Sequence, residues 1–190
     1  MKRSVVAITG GIGSGKSEIT RFLREMGYAT VDCDELARQI ADEPDVIAAV
    51  EALLGGDCVT NGAINRKKVR EIVFSDGELL KKYDEIFFSR VKQRLNEAIA
   101  GTDGAVFVEI AVFGAFEFRF DEIWLVKSDE SNRVFRVTNR DGVSKQSVLN
   151  VMSRQRYEGD FTRVFINDGS IDELKTQVLA ALGASGLAKK

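Results

Sequence analysis

The sequence predicts an α/β fold built on a doubly wound parallel sheet. Three observations predict it. Short apolar runs alternate with segments of helical period, the pattern of successive βα units. The runs Val5-Val6-Ala7-Ile8, Ala105-Val106-Phe107-Val108 and Ile123-Trp124-Leu125-Val126 are apolar throughout, as strands buried on both faces require. Between the first run and the helical pattern Ile19, Phe22, Leu23 and Met26 stands Gly10-Gly11-Ile12-Gly13-Ser14-Gly15-Lys16-Ser17, which fits G-x-x-x-x-G-K-[ST] in its strand–loop–helix context.

The elements follow in order. Gly27 stops the first helix, and Tyr28 to Asp32 reads as a second strand. Asp34 opens a short helix to about Ile40. Pro44 lies in a turn between helices, and Val46 to Leu54 forms the next helix, ended by Gly55-Gly56. A loop then leads to Asn65, which caps a helix to about Phe74. Ser75 or Asp76 starts a long helix to about Ala100, in which Leu79, Leu80, Tyr83, Ile86, Phe87, Val91 and Leu95 recur near helical spacing. Strands return at Ala105 to Glu109 and Glu122 to Val126. A helix over Asp129 to Asn139 breaks at Arg140-Asp141-Gly142, and another covers Ser144 to Gln155. Arg163 to Ile166 is the last strand and Ile171 to Leu182 the last helix, with residues 183–190 expected to fray. This gives a P-loop NTPase core over 1–40, 101–135 and 156–183, a helical acceptor domain over about 41–100 and a lid over about 136–155.

Composition narrows the function classes. The 190 residues carry 27 Lys+Arg against 29 Asp+Glu, a net charge of −2, which argues against nucleic acid or an anionic membrane as the main partner. No apolar run has the length of a membrane span, and the one after Met1-Lys2-Arg3 is too short for a signal-peptide core. Two cysteines, Cys33 and Cys58, make neither a disulfide framework nor a metal pair, so the expected setting is cytoplasmic. Cys33 reads as a small buried filler. With no histidine in the chain, acid–base work falls to carboxylates, Lys, Tyr or water, and the metal invited is a hard cation with oxygen ligands.

The glycine-rich segment points to a nucleoside triphosphate. Backbone N–H groups turned inward by the glycines, and the N-terminus of the following helix, cradle phosphate oxygens. Lys16 supplies charge for the β- and γ-phosphates, and the Ser17 hydroxyl is placed to ligate Mg²⁺. Asp32 ends the second strand, beside the loop if the strands are near neighbours. It reads either as the base for a hydroxyl that attacks the γ-phosphate or as a strand-end cap. Asp34 reads by spacing as an ordinary N-cap. Glu109, at the end of the next strand, stands where phosphate-loop enzymes carry a Mg²⁺-holding acid, usually Asp. Arg133, Arg136, Arg140, Lys145, Arg154 and Arg156 mark a helical pair between the last two strands. Arg136 and Arg140 share a face at i,i+4, which reads as a phosphate-closing lid or as a solvated basic face. Neither Asp-x-x-Gly after the third strand nor Asn-Lys-x-Asp is present, against a switch GTPase.

Taken together, these residues resemble the dephospho-coenzyme A kinase family. The resemblance runs through Ile8 to Ser17, Val31-Asp32-Cys33-Asp34-Glu35-Leu36-Ala37-Arg38, Gly62 to Arg70 with Val73-Phe74, Phe120-Asp121-Glu122, Arg136 to Asp141, Gln155 and Ile166-Asn167-Asp168-Gly169-Ser170. It implies a sheet core, helical substrate domain and lid, and Mg-ATP-dependent phosphorylation of the ribose 3′-hydroxyl of dephospho-CoA. It implies ATP contacts from Gly11, Ile12, Gly13, Ser14, Gly15, Lys16, Ser17, Arg136, Arg140 and Asn167, the last near adenine. On the acceptor side it implies Asp32 as base, with Asp34, Arg38 and Asn65. Where the family carries His-Pro this chain has Phe88-Ser89, and a Pro-Leu-Leu-Phe-Glu-like run is replaced by Ala111-Val112-Phe113-Gly114-Ala115. Those departures keep two other readings open: a kinase for another small hydroxylated metabolite, or a degenerate nucleotide or CoA sensor. Phe87, Phe88, Phe113, Phe116, Phe118 and Phe120 read as extra core or as an aromatic pocket wall, with core favoured for most, and the alternating Phe116, Phe118 and Phe120 read also as an exposed loop contact.

Overall fold

A computed structural model describes residues 4–73, 76–111, 118–155, 157 and 159–189. The sequence readings that involve Phe74, Ser75, residues 112–117 and Arg156 lie outside the described residues. The chain divides into two compact units, Met1–Asp32 with Gly101–Lys190, and Cys33–Ala100.

In the first unit β1 (Ser4–Gly10), β2 (Ala29–Asp32), β5 (Ala105–Ile110), β6 (Glu122–Lys127) and β7 (Arg163–Ile166) form one parallel sheet of order β2-β5-β1-β6-β7. The second strand is therefore not the neighbour of the first, because β5 lies between them. On one face Val6, Ile8, Phe107, Trp124 and Phe165 pack with Ile19 and Leu23 of α1 (Lys16–Glu25) and with Leu174, Val178 and Leu182 of α8 (Ile171–Ala184). The intervening residues Ala7, Val106, Val108 and Leu125 point to the opposite face and are equally buried. That is why these strands are apolar at every position rather than alternating.

The C-terminal segment does not fray. Leu187 is buried in the same core, its carbonyl accepts from Tyr28 Oη at 2.8 Å, and Tyr28 Oη in turn accepts from Lys189 N at 3.1 Å. An apolar side chain three residues past the helix outweighs the usual disorder of a chain end.

Two further helices of this unit, α6 (Glu130–Asp141) and α7 (Lys145–Met152), pack through Val134, Val137 and Val148. Gly142 ends α6 in the left-handed region (φ +66°), and Ser144 caps α7 by accepting from Ser147 N.

The second unit holds α2 (Cys33–Ile40), α3 (Pro44–Leu54), α4 (Arg66–Val73) and α5 (Gly77–Ala100), of which α3, α4 and α5 pack around Val50, Cys58, Val69 and Val73. Both cysteines are buried, and neither is in a disulfide. Pro44 is the first residue of α3 rather than part of the turn, where its missing N–H costs nothing. The segment read as a loop contains a two-stranded hairpin, β3 (Val59–Thr60) and β4 (Ala63–Ile64). Its turn residues Asn61 (φ +52°) and Gly62 (φ +74°) are both left-handed, the Asn-Gly signature of a tight hairpin turn. Asn65 caps α4, its Oδ1 accepting from Lys68 N at 3.2 Å. Asp76 Oδ1 does the same for α5, accepting from Glu78 N and Leu79 N. Phe88 and Ser89 lie midway along α5, where Ser89 Oγ donates to the Ile86 carbonyl and the helix runs on unbroken.

Candidate functional site

The turn between β1 and α1 has the geometry of an anion cradle. Gly15 precedes α1 in the left-handed region (φ +100°), and a Cβ there would stand 2.0 Å from Asn167 Nδ2. A Cβ on Gly10 would lie 2.3 Å from the Val126 carbonyl oxygen. These positions admit glycine alone.

Side chains take up the carbonyls of this loop. Lys16 Nζ reaches back to donate to Gly10 O (2.8 Å) and Gly11 O (3.4 Å), and Tyr157 Oη also donates to Gly10 O (2.9 Å). Arg133 Nε donates to Ile12 O (2.9 Å), Arg136 Nη1 to Gly13 O (3.3 Å) and Asn167 Nδ2 to Ser14 O (2.8 Å). Gln155 Oε1 accepts from Ile12 N (2.9 Å). With its carbonyls drawn to these donors, the loop keeps an amide-rich concave side, the requirement for an oxyanion. Burial lowers the pKa of Arg133, but an arginine stays charged.

The carboxyl edge of the sheet brings two acids together. In the parallel register Asp32 stands opposite Glu109, and Glu109 opposite Ile8 of β1. Glu109 is 9% exposed and accepts from Ser17 Oγ (2.9 Å, at Oε1) and from the buried Thr20 Oγ1 (2.7 Å, at Oε2). Two hydroxyls of α1, on Ser17 and Thr20, are thus handed to a carboxylate one strand away from Asp32. The donors present here are hydroxyl and carboxylate oxygens, the chemistry that suits Mg²⁺. That ion takes one or two protein ligands and completes its shell with phosphate oxygens and water.

Arg136 is a bridge rather than a free cation. Besides Gly13 O it donates to Asn167 O (2.8 Å) and Ser128 Oγ (3.0 Å). Asp168, next to Asn167, accepts from Ser128 Oγ (2.7 Å), Asp129 N (2.7 Å) and Asn132 Nδ2 (3.0 Å), which hold its carboxyl below the usual aspartate range. These contacts wall a cavity of about 370 Å³ beside the loop, into which Ser14, Ser128, Arg133, Tyr157 and Asp168 face. Within it the buried Ser14 Oγ has no hydrogen-bond partner among the described residues.

Arg140 sits one turn beyond Arg136 on α6, exposed, with both arms on Asp141 (2.6 and 2.7 Å). The structure does not bring it to the loop. Asp34, Arg38 and Asn65 belong to the other compact unit. There Asp34 lies in the first turn of α2 and is not its cap, because the helix starts one residue earlier at Cys33. Arg38 pairs with Glu35 at 2.8 Å.

Sequence reasoning passed over Thr20 and Tyr157, and it gave Arg133 and Gln155 no place at the loop. Thr20 carried a signal, three residues after Ser17 on the strand-facing side of the helix. Tyr157 carried none.

The comparisons with known proteins fit this geometry. The family model CoaE, dephospho-CoA kinase, matches residues 4–173. The dephospho-CoA kinase of Thermus thermophilus is 32% identical over 187 residues, covering 94% of this chain and 90% of the relative. That of Geobacter sulfurreducens is 31% identical over 189 residues, covering 92% and 95%. A crystal structure of a Thermus thermophilus protein superposes with a TM-score of 0.85 at 31% identity, covering 97% of this chain and 98% of the other. The chain belongs to the dephospho-CoA kinase family.

Proposed function

We infer that this chain transfers the γ-phosphoryl group of ATP to the ribose 3′-hydroxyl of dephospho-CoA, yielding coenzyme A and ADP. The family membership names the reaction. The observation that carries it to these residues is the row Asp32–Glu109 at the sheet edge, with Glu109 hydrogen-bonded to Ser17 of the phosphate loop.

Asp32 is the base. Its carboxylate accepts the proton as the ribose oxygen bonds to the γ-phosphorus and the bond from that phosphorus to the bridging oxygen of ADP breaks. The amides of Gly11 to Gly15 and the α1 N-terminus hold the β-phosphate. When nucleotide arrives, Lys16 leaves the Gly10 and Gly11 carbonyls for the β- and γ-phosphates, exchanging neutral acceptors for charged ones. Arg136 orders the loop and the Asn167 segment, with Asn167 beside the adenine, and Arg140 exchanges Asp141 for phosphate as the lid closes. Ser17 and Glu109 would hold Mg²⁺, directly or through water, and the ion would supply charge neutralisation for the transferring group. Asp34, Arg38 and Asn65 serve the acceptor side.

Among the described residues no helix is long and apolar enough to cross a membrane. The proposed setting is the cytoplasm, where ATP and this acceptor are small-molecule partners and neither nucleic acid nor a membrane is one.

The test is ADP release from Mg-ATP with dephospho-CoA, the product mass rising by one phosphate. Turnover that disappears in Lys16→Ala supports the reading. ATP binding without turnover on dephospho-CoA, or turnover confined to another acceptor, overturns it.

A further inference from the structure

The Cys33–Ala100 unit contains a cavity of about 490 Å³ between α2, α4 and α5. Three arginines line it: Arg38 from α2, and Arg66 and Arg70 one turn apart on α4. Leu80 and Phe87 supply apolar wall. Such a lining suits a ligand with phosphate at one end and a hydrocarbon chain at the other.

One group does not fit that description. Asp84, on α5 between those apolar residues, also faces the cavity. It is half-buried, yet among the described residues it makes no hydrogen bond and no ion pair, although three arginines line the same space. Asp34, the other carboxylate of the lining, does have a partner. Burial alone, with no donor opposing it, pushes the Asp84 carboxyl above the usual aspartate range. With no partner among the described residues, the Asp84 carboxylate is left to solvent in the cavity, so a ligand donor entering there gains a charged acceptor without breaking an existing pair. Phosphate would be repelled by it. Its partner is therefore a neutral N–H or O–H on the same ligand, set apart from the phosphates.

We propose that Asp84 is a specificity-determining residue of the acceptor site, its carboxylate accepting a hydrogen bond from an amide N–H or hydroxyl of the acceptor's pantetheine arm while Arg66 and Arg70 take the diphosphate. This rests on dephospho-CoA being the acceptor, whose arm carries two amides and a hydroxyl. A site built around such a bond discriminates steeply against ligands that lack the donor.

The experiment compares the full-length chain with Asp84→Ala and Asp84→Asn on two acceptors. Dephospho-CoA has the arm; adenosine 5′-monophosphate keeps the ribose 3′-hydroxyl and a phosphate but lacks it. In Asp84→Ala the KM for dephospho-CoA rises on the order of ten-fold or more. Its kcat, the KM for ATP and the kcat/KM for the short acceptor stay at wild-type values. Asp84→Asn, which keeps an acceptor oxygen at the same volume, recovers part of the loss and serves if the alanine variant does not fold. An unchanged KM for dephospho-CoA overturns the assignment, as does an equal loss on both acceptors. Should the wild type bind dephospho-CoA without turning it over, calorimetry of that binding decides, with weaker binding in Asp84→Ala expected and equal binding overturning the assignment. Absence of any binding to the wild type overturns the acceptor reading and this inference together.

Discussion

Ser17 Oγ donates a 2.9 Å hydrogen bond to Glu109 Oε1, tying the first turn of α1 to the end of β5. The second oxygen of the same carboxylate accepts from Thr20 Oγ1, so both lone-pair faces are held by one helix. Among the described residues its side-chain donors are these two hydroxyls, so the oxygens gathered here are of the kind a hard cation takes.

Glu109→Gln is expected to raise the Mg²⁺ concentration for half-maximal activity by roughly 10- to 100-fold, as loss of a group supporting a metal does. Activity titrated against Mg²⁺ at fixed ATP checks this. An unchanged requirement would show Glu109 to be a brace for α1 and nothing more.

Asp32→Asn preserves shape and removes the proton acceptor. We expect kcat to fall by about 10²- to 10⁴-fold while ATP affinity changes little. Single-turnover kinetics alongside nucleotide titration separates the two. Near wild-type kcat would assign Asp32 to the cap of the strand end.

Gly15→Ala sets a Cβ 2.0 Å from Asn167 Nδ2 at a backbone φ of +100°. The strain costs about 1–3 kcal/mol, and the Asn167–Ser14 hydrogen bond must give way. Denaturant unfolding should report the first effect and weakened ATP binding the second.

Asp168 gives a pH signature. Its folded pKa is depressed below the ordinary value of 3.8, first by the Asp129 N–H, then by the Ser128 and Asn132 donors. The stabilisation is therefore fully present above about that ordinary value and is lost as pH falls through the lower folded one. Asp168→Ala should melt below wild type at neutral pH, with the gap narrowing as the medium is acidified through that window. A gap constant with pH would mean the carboxylate's charge contributes nothing.

Leu187→Ala empties a site that is 7% exposed in the main core. A loss of about 2–5 kcal/mol is expected by chemical denaturation. An unaffected midpoint would mean the tail is held by Tyr28 and Lys189 alone.

Much of this molecule is local and was legible without coordinates. The phosphate loop declares itself by glycines, Lys16 and Ser17 between a strand and a helix. The five segments read as strands became the five sheet strands, because strand and helix periods are short-range properties of the chain. Asn65 was readable as a cap because a cap and its helix are adjacent. The hairpin at Asn61-Gly62 was also local, its turn signal present but overlooked in strands of two residues each.

What the sequence alone determined is the α/β class, the anion-binding loop and the acids at the strand ends. Which strand lies beside which was decided by the tertiary structure, and with it the pairing of Asp32 with Glu109 across β2 and β5 rather than with β1 directly. The grip of Arg133, Gln155, Tyr157 and Asn167 on the loop carbonyls, and the docking of Leu187, were decided the same way. The physical reason is common to all of them. Each contact joins residues more than 70 positions apart, and its formation depends on how the apolar faces of whole elements close on one another, which no local period encodes.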